Sequence, residues 1–342
     1  MYEARVLVVD DSAAMRALFS DILDQARHVT VVGTACSADD ARDQIADLKP
    51  NVITLDVEMP GMSGIDFLAE IMGHQPLPVV MLSSLTQAGT ETSLRALELG
   101  AIDCFPKPLR ATPEQFAKSV ARLGKIVLAA ANSNIHTRKP RTETKAGDAH
   151  FEWNGHLAAI SASMGGIDAL TTMLAHFPGH CPPTVVCLQA EPMLVETFIA
   201  RLDGMLKCHV RAAKDGAALT PGTIHIAAHP DTHAVVEPGH PPRLRLIARD
   251  PVEGARPSAN VLFGSIARGA IPAVGTVLTG MGSDGARGLR LMRDAGSDTF
   301  VQDRQTALVS ETPEAVIAAD AASREVPLND LGAAVLGSCA IG

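Results

Sequence analysis

From residue 5 onward the chain alternates short β-branched apolar runs with amphipathic stretches, and few architectures accept that order. VLVVD, VTVVGTA, NVITLD and VVMLSS are separated or followed by AAMRALFSDIL, ADDARDQIADL, GIDFLAEIM and ETSLRALELG. Strands that alternate with helical patterns build βαβ units, whose strands run parallel. A second series begins at residue 156, with HLAAI, TVVCLQA, HVRAA, TIHIAA, AVGTVLT and DTFVQD as its strands. Its helical patterns are GIDALTTMLAHF, LVETFIARL, NVLFGSIARG, GARGLRLMRDAG and PEAVIAADAA. HAVVEPGHPPRLRLIA interrupts this series and reads as a hairpin appended to the sheet. Between the two series, ANSNIHTRKPRTETKAGDAH has no apolar periodicity and carries Pro and Gly, as a linker does. A length of 342 residues fits two such α/β domains.

Composition then narrows the function. Hydrophobic residues make up 46% of the chain but aromatics only 3%, so Val, Leu, Ile, Ala and Met must fill the cores. The balance of 29 basic against 38 acidic residues, net −9, argues against a phosphate-directed nucleic-acid surface. Cys36, Cys104, Cys181, Cys187, Cys208 and Cys339 show no C-x-x-C spacing, and most lie in apolar stretches. Reduced thiols are expected there, without disulfides or structural zinc. MYEARVLVVDD does not read as a signal peptide and no apolar run reaches the length of a membrane span. The expectation is a cytoplasmic protein without membrane insertion.

In open parallel sheets, ligands bind at the carboxyl ends of the strands. Asp10 and Asp11 end the first strand, Asp56 ends VITLD, Ser83 ends VVMLS, and Lys107 follows a later apolar segment in CFPKP. Carboxylates brought together repel one another unless they hold a hard divalent cation such as Mg²⁺. Beside such a cation Asp56 can attack a phosphoryl group while Lys107 and Ser83 hold its oxygens. The plainer reading makes these acids helix caps.

With LDVEMPGMSG and FPKP, this constellation resembles the receiver domain of two-component response regulators. The resemblance implies a doubly wound five-stranded parallel sheet over residues 1–125, Asp56 as phosphoacceptor, and Asp10, Asp11, Asp56 and the Glu58 carbonyl around Mg²⁺. Receivers usually carry an aromatic residue three before the lysine, where this chain has Cys104. Either the readout of phosphorylation differs here, or Cys104 simply packs in the core.

The second series offers ASMGG, in which Ser163 follows a strand and precedes Gly165 and Gly166, a turn able to expose a hydroxyl above a sheet. A plain helix cap is the alternative. LTGMGSDGARGL forms another strand-to-helix turn and carries Met281 and Asp284. With RPSANVLF, these motifs resemble the chemotaxis protein-glutamate methylesterases, the CheB family, over nearly the full chain. The resemblance implies a linker over 126–150 and a CheB-type α/β domain over 151–342. It implies hydrolysis of chemoreceptor glutamate methyl esters, and of glutamine amides in some members, after a CheA-type histidine kinase phosphorylates the receiver and relieves its block of the site. Ser163 matches the nucleophile, Asp284 the triad carboxylate and Met281 the methionine beside it.

The family's histidine sits in a Gln-His-Met-Pro-Pro stretch, where this chain reads LQAEPML, so Gln189 matches and Ala190 replaces the base. Met164, Ser161, Ala255, Asn260 and the SETP stretch at 310–313 depart from the pattern around the same cleft. His229 and His180 are the candidates for a substitute base. Two functions stay open: a methylesterase with a weakened triad, and a binding regulator that accepts phosphate, binds receptors and competes with an active esterase. A monomer without a C-terminal cofactor is expected. Nucleotide binding by the glycine-rich turns lacks the spacing it needs.

Overall fold

Each alternating series folds into its own parallel sheet. The computed structural model describes residues 3–83, 87–107, 113–135 and 151–341. The chain divides into two units, Met1–His136 and Thr137–Gly342.

The first unit runs β1 (Ala4–Val9), α1 (Ala13–Asp24), β2 (Val29–Ala35), α2 (Ala38–Leu48), β3 (Val52–Asp56), α3 (Gly64–His74), β4 (Val79–Ser83), α4 (Gln87–Leu99), β5 (Asp103–Pro106) and α5 (Pro113–Ala131). The strands lie in the order β2-β1-β3-β4-β5, every neighbouring pair parallel. β3 and β4 are buried at every residue, as strands covered on both faces must be. Serines end the connections into α1, α2 and α3: the Ser12, Ser37 and Ser63 hydroxyls accept from the Met15, Asp40 and Asp66 amides.

Helix α5 corrects the expected linker. Leu123, Ile126, Val127 and Ala130 recur at helical spacing and are buried, so residues 126–131 belong to the first unit's core. The expected linker from 136 to 150 lies outside the described residues.

The second unit comprises β6 (Leu157–Ala162), α6 (Gly166–Leu174), β7 (Thr184–Leu188), α7 (Pro192–Met205), β8 (His209–Ala212), β9 (Thr223–Ala227), β10 (His233–Glu237), β11 (Arg243–Ile247), α8 (Ala259–Arg268), β12 (Ala273–Val277), α9 (Ala286–Asp294), β13 (Asp298–Gln302), α10 (Glu311–Ala318), β14 (Arg324–Val326) and α11 (Leu328–Ser338). Its parallel sheet has the order β14-β13-β12-β6-β7-β9-β8. The chain winds outward from β6 in one direction, then returns to β12 and winds in the other. The reversal between β6 and β12 opens a crevice at their carboxyl ends.

The hairpin stands apart from the large sheet, and its β11 strand also bonds to the segment before β9: the Leu244 amide donates to the Ala217 carbonyl and the Gly216 amide to the Leu244 carbonyl, each at 2.8 Å. β10 and β11 form a separate two-stranded antiparallel sheet, and it is side chains that anchor it to α8. The Val236 amide donates to Ser265 Oγ at 3.0 Å, and Ala234, Val236 and Leu244 share a core with Leu262, Phe263 and Ile266. At the start of the unit, Trp153 bridges to Ala340 and its indole donates to the His156 carbonyl at 2.7 Å, tying the two ends of the unit together. Among the described residues no helix is long and apolar enough to cross a membrane.

Candidate functional site

The first unit gathers its acids at the carboxyl edge of β1 and β3. Asp10, Asp11 and Asp56 each bring a carboxylate oxygen within 4.8 Å of the others. Asp10 and Asp56 are buried and Asp11 is exposed. Lys107 reaches into the cluster from beyond β5, its Nζ 2.8 Å from Asp10 Oδ2 and 2.8 Å from Asp56 Oδ2. Burial lifts the Asp56 carboxyl above its ordinary range, against the opposing Lys107 hydrogen bond. Burial also works against the Lys107 ammonium, but its bonds to the two carboxylates outweigh it and raise its pKa. The Glu58 amide donates to Asp56 Oδ1 at 3.2 Å.

Ser83 ends β4 on the same edge, and its backbone carbonyl accepts from the Lys107 amide at 2.9 Å. Its hydroxyl accepts from Ser93 Oγ at 3.0 Å. Cys104 is buried beneath and donates to the Ser93 carbonyl at 3.5 Å. Three carboxylates around one point, offering hard oxygen donors, fit a small divalent cation such as Mg²⁺.

In the second unit Ser163 stands at the crevice where the winding reverses. Its amide donates to the Thr279 carbonyl at 3.2 Å and its carbonyl accepts from the Gly166 amide at 2.8 Å, which closes the turn into α6. Gly165 holds φ at +75° there. The Met281 amide donates to Ser163 Oγ at 3.1 Å. Gly280 is needed for this approach, because a Cβ at that position would collide with Ser163 Oγ and Thr312 Oγ1. Ser163, Gln189, Met281, Asp284 and Thr312 line a small cleft of about 200 Å³, counted to its open mouth.

Asp284 lines that cleft with its carboxylate already engaged. Oδ1 accepts from Ser258 Oγ at 2.6 Å and from the Asn260 amide at 3.2 Å. Oδ2 accepts from Gln189 Nε2 at 2.8 Å and from the Ala259 amide at 2.7 Å. Four donors meet the roughly four lone-pair sites of a carboxylate. Two of them are amides of the first turn of α8, so Asp284 serves as the anion at that helix's N-terminus.

Residues 158–335 match the family described as CheB methylesterase, and residues 6–120 match the response regulator receiver domain. The chain is also 44% identical, over 98% of both chains, to the protein-glutamate methylesterase/protein-glutamine glutaminase 1 of Caulobacter vibrioides. The chain belongs to the CheB methylesterase family. The corresponding Agrobacterium fabrum protein is 41% identical over 97% of this chain and 96% of its own length. The solved CheB methylesterase catalytic domain of Thermotoga maritima aligns at a TM-score of 0.51 and 25% identity, covering 54% of this chain and 98% of that one.

Ala190, at which the sequence resemblance puts the family's histidine, lies on the turn that leads from β7 into α7. No histidine lines the cleft among the described residues. His180 precedes β7 and therefore lies at the opposite edge of the sheet from Ser163, where its Nε2 pairs with the Phe151 carbonyl at 2.6 Å. His229 does follow β9 on the same edge as Ser163. It is exposed, and its Nδ1 accepts from the Asp231 amide at 3.2 Å.

His233, which the sequence did not single out, is linked to Asp284 through Ser258. Its Nδ1 accepts from the Ser258 amide at 3.1 Å and its Nε2 meets the Asp250 carbonyl at 3.0 Å, so both ring nitrogens are occupied. Ser258 and Glu311 were also missed as site residues, and Gln189 was matched to the family's motif without being given a role. Glu311 takes the Gly282 amide at 2.9 Å beside the cleft. Its only sequence signal was the SETP departure.

Proposed function

We propose that this chain is a phosphorylation-controlled CheB-family regulator whose C-terminal cleft binds chemoreceptor glutamate or glutamine side chains without turning them over. Residues 1–131, through the end of α5, act as the receiver and residues 151–342 as the methylesterase-type domain. A CheA-type histidine kinase supplies the phosphoryl group, methyl-accepting chemoreceptors supply the bound side chains, and the protein works as a cytoplasmic monomer. By occupying receptors it competes with an active esterase.

In the receiver, an Asp56 carboxylate oxygen attacks phosphorus and the donor's leaving group departs in line. Asp10, Asp11, Asp56 and the Glu58 carbonyl would hold Mg²⁺, which when bound would supply positive charge to offset that of the phosphoryl oxygens. Lys107 exchanges its bond to Asp56 for one to the acyl phosphate, and the Ser83 hydroxyl takes another phosphoryl oxygen.

One observation carries the reading of the second site: Asp284 has all its lone pairs committed, beside a cleft with no histidine. A serine hydroxyl needs a neighbour to take its proton. Loss of the histidine from such a triad costs about 10⁴ to 10⁶ in turnover. A second reading, a slow esterase or deamidase, is favoured by the Met281 amide aimed at Ser163 Oγ, which an oxyanion could take over. His229 would then be the base.

Methanol release from methyl-labelled chemoreceptor membranes separates the two, measured with Mg²⁺ and acetyl phosphate beside Ser163→Ala. Equal release from both proteins, with Asp56 phosphorylated, is the expected result. Release that depends on Ser163 overturns the binding reading in favour of the slow enzyme.

A further inference from the structure

At the sheet edge opposite the Ser163 cleft, two cysteines meet. Cys181 precedes β7 and Cys208 immediately precedes β8, two strands with β9 between them in the sheet. Gly222, just before β9, joins the segments: its amide donates to the Cys181 carbonyl at 2.8 Å and its carbonyl accepts from the His209 amide at 2.9 Å. The segments also touch directly, since a Cβ on Gly179 would lie 3.3 Å from the Lys207 carbonyl oxygen. The two thiols adjoin, each being the largest influence on the other's pKa. Both side chains are buried, 0% and 2% exposed, and all six cysteines of the chain are free thiols.

We propose that Cys181 and Cys208 form a dithiol site that closes into an intramolecular disulfide when the protein meets a peroxide. The contact is asymmetric. Contact between the thiols raises the Cys181 pKa and lowers that of Cys208, the latter against burial and the nearby Asp203 charge. Cys208 is therefore the thiolate former, and the thiolate is the nucleophile. Its sulfur attacks one peroxide oxygen and the O–O bond breaks. The departing oxygen leaves as water after taking a proton, and Cys208 becomes a sulfenic acid. The Cys181 sulfur then attacks Cys208 Sγ, the S–O bond breaks, and the Cys181 proton leaves with the second water. Two thiols and one peroxide give one disulfide and two waters.

Access comes through the sheet edge. β8 is the terminal strand and three of its four residues are exposed, so local opening there admits a small oxidant. The closed disulfide would staple the two ends of the segment holding β7, the Gln189–Ala190 turn and α7. The proposal is independent of the function assigned to the Ser163 cleft.

The test treats the full chain with hydrogen peroxide, then unfolds and alkylates it and maps its peptides by mass. The expected result is a cross-linked peptide joining Cys181 to Cys208, lighter by two hydrogens, reversed by dithiothreitol and in about tenfold excess over any other cysteine pairing. Cys181→Ser and Cys208→Ser each abolish it. The wild-type map alone decides the matter even where a variant fails to fold. Both thiols remaining alkylatable after exposed Cys36 has been oxidised would overturn the proposal, as would Cys208 paired with any other cysteine.

Discussion

Asp56 and Asp284 occupy the same kind of place, beyond the carboxyl end of a parallel strand, and are treated in opposite ways. Asp56 has one amide and one ammonium as donors and sits among like charges, held by Lys107 alone against their repulsion. Asp284 is enclosed by four donors and has no acid for a neighbour in its cleft. The first carboxylate is destabilised and open to reaction; the second is satisfied and acts as cement. Position on a sheet edge thus offers a site, and the supply of donors decides whether it is chemical or structural.

The sharpest way to break this contrast is to remove each acid. Asp56→Asn should eliminate phosphoryl incorporation from acetyl phosphate, a fall of about 10³ or more, because no other carboxylate takes its place in line. Labelled incorporation at another residue would refute it. Its effect on stability should be small or favourable, since one of three repelling carboxylates has gone.

Asp284→Ala should do the reverse, costing the second unit about 3 kcal/mol by leaving the Gln189 amide, the Ser258 hydroxyl and two α8 amides without their acceptor. Urea denaturation of the variant checks this, and a cost below about 1 kcal/mol would show that Asp284 is not the cement described. Ala190→His probes the same cleft from the side of chemistry. With the Ser163 turn and Met281 amide in place, it should raise Ser163-dependent methanol release by about 10². A folded variant with no gain would put the obstacle at Asp284, whose Oδ2 Gln189 already holds.

The smallest expected effect concerns acid. His225 on β9 is buried with no hydrogen-bond partner for either ring nitrogen, and burial lowers its pKa below 6.5. As pH falls past 6.5 the unfolded chain takes up this proton before the folded one. Stability of the second unit is therefore full above that value and declines below it, by at most about 1.4 kcal/mol per pH unit, until the folded pKa is passed. His225→Leu should flatten this part of the stability profile.

Much of this molecule was legible in one dimension, and the gaps have physical reasons. Strands and helices of the βαβ series announced themselves by period, and the receiver acids by their place at strand ends. α5 escaped because its apolar spacing runs on into text that reads as linker. β14 has only three residues, none of them buried, so it offers no apolar run. α11 begins at a proline without a side-chain cap and carries two glycines in its body. At the second site, Ser163, Met281 and Asp284 were singled out by motif and line one cleft, but the commitment of Asp284 was not legible. Its partner Gln189 lies 95 residues away along the chain, and two of its donors are backbone amides that no side-chain pattern advertises.

Trp153 gives these comparisons their own instrument. It is the chain's single tryptophan; its indole is held by the His156 carbonyl and its backbone by the Ala340 bridge, at the point where both ends of the second unit meet. Tryptophan emission excited at the red edge therefore reports the melting of that unit and is silent for the receiver. A single fluorescence trace can follow one half of the protein while the other half is phosphorylated, mutated or unfolded.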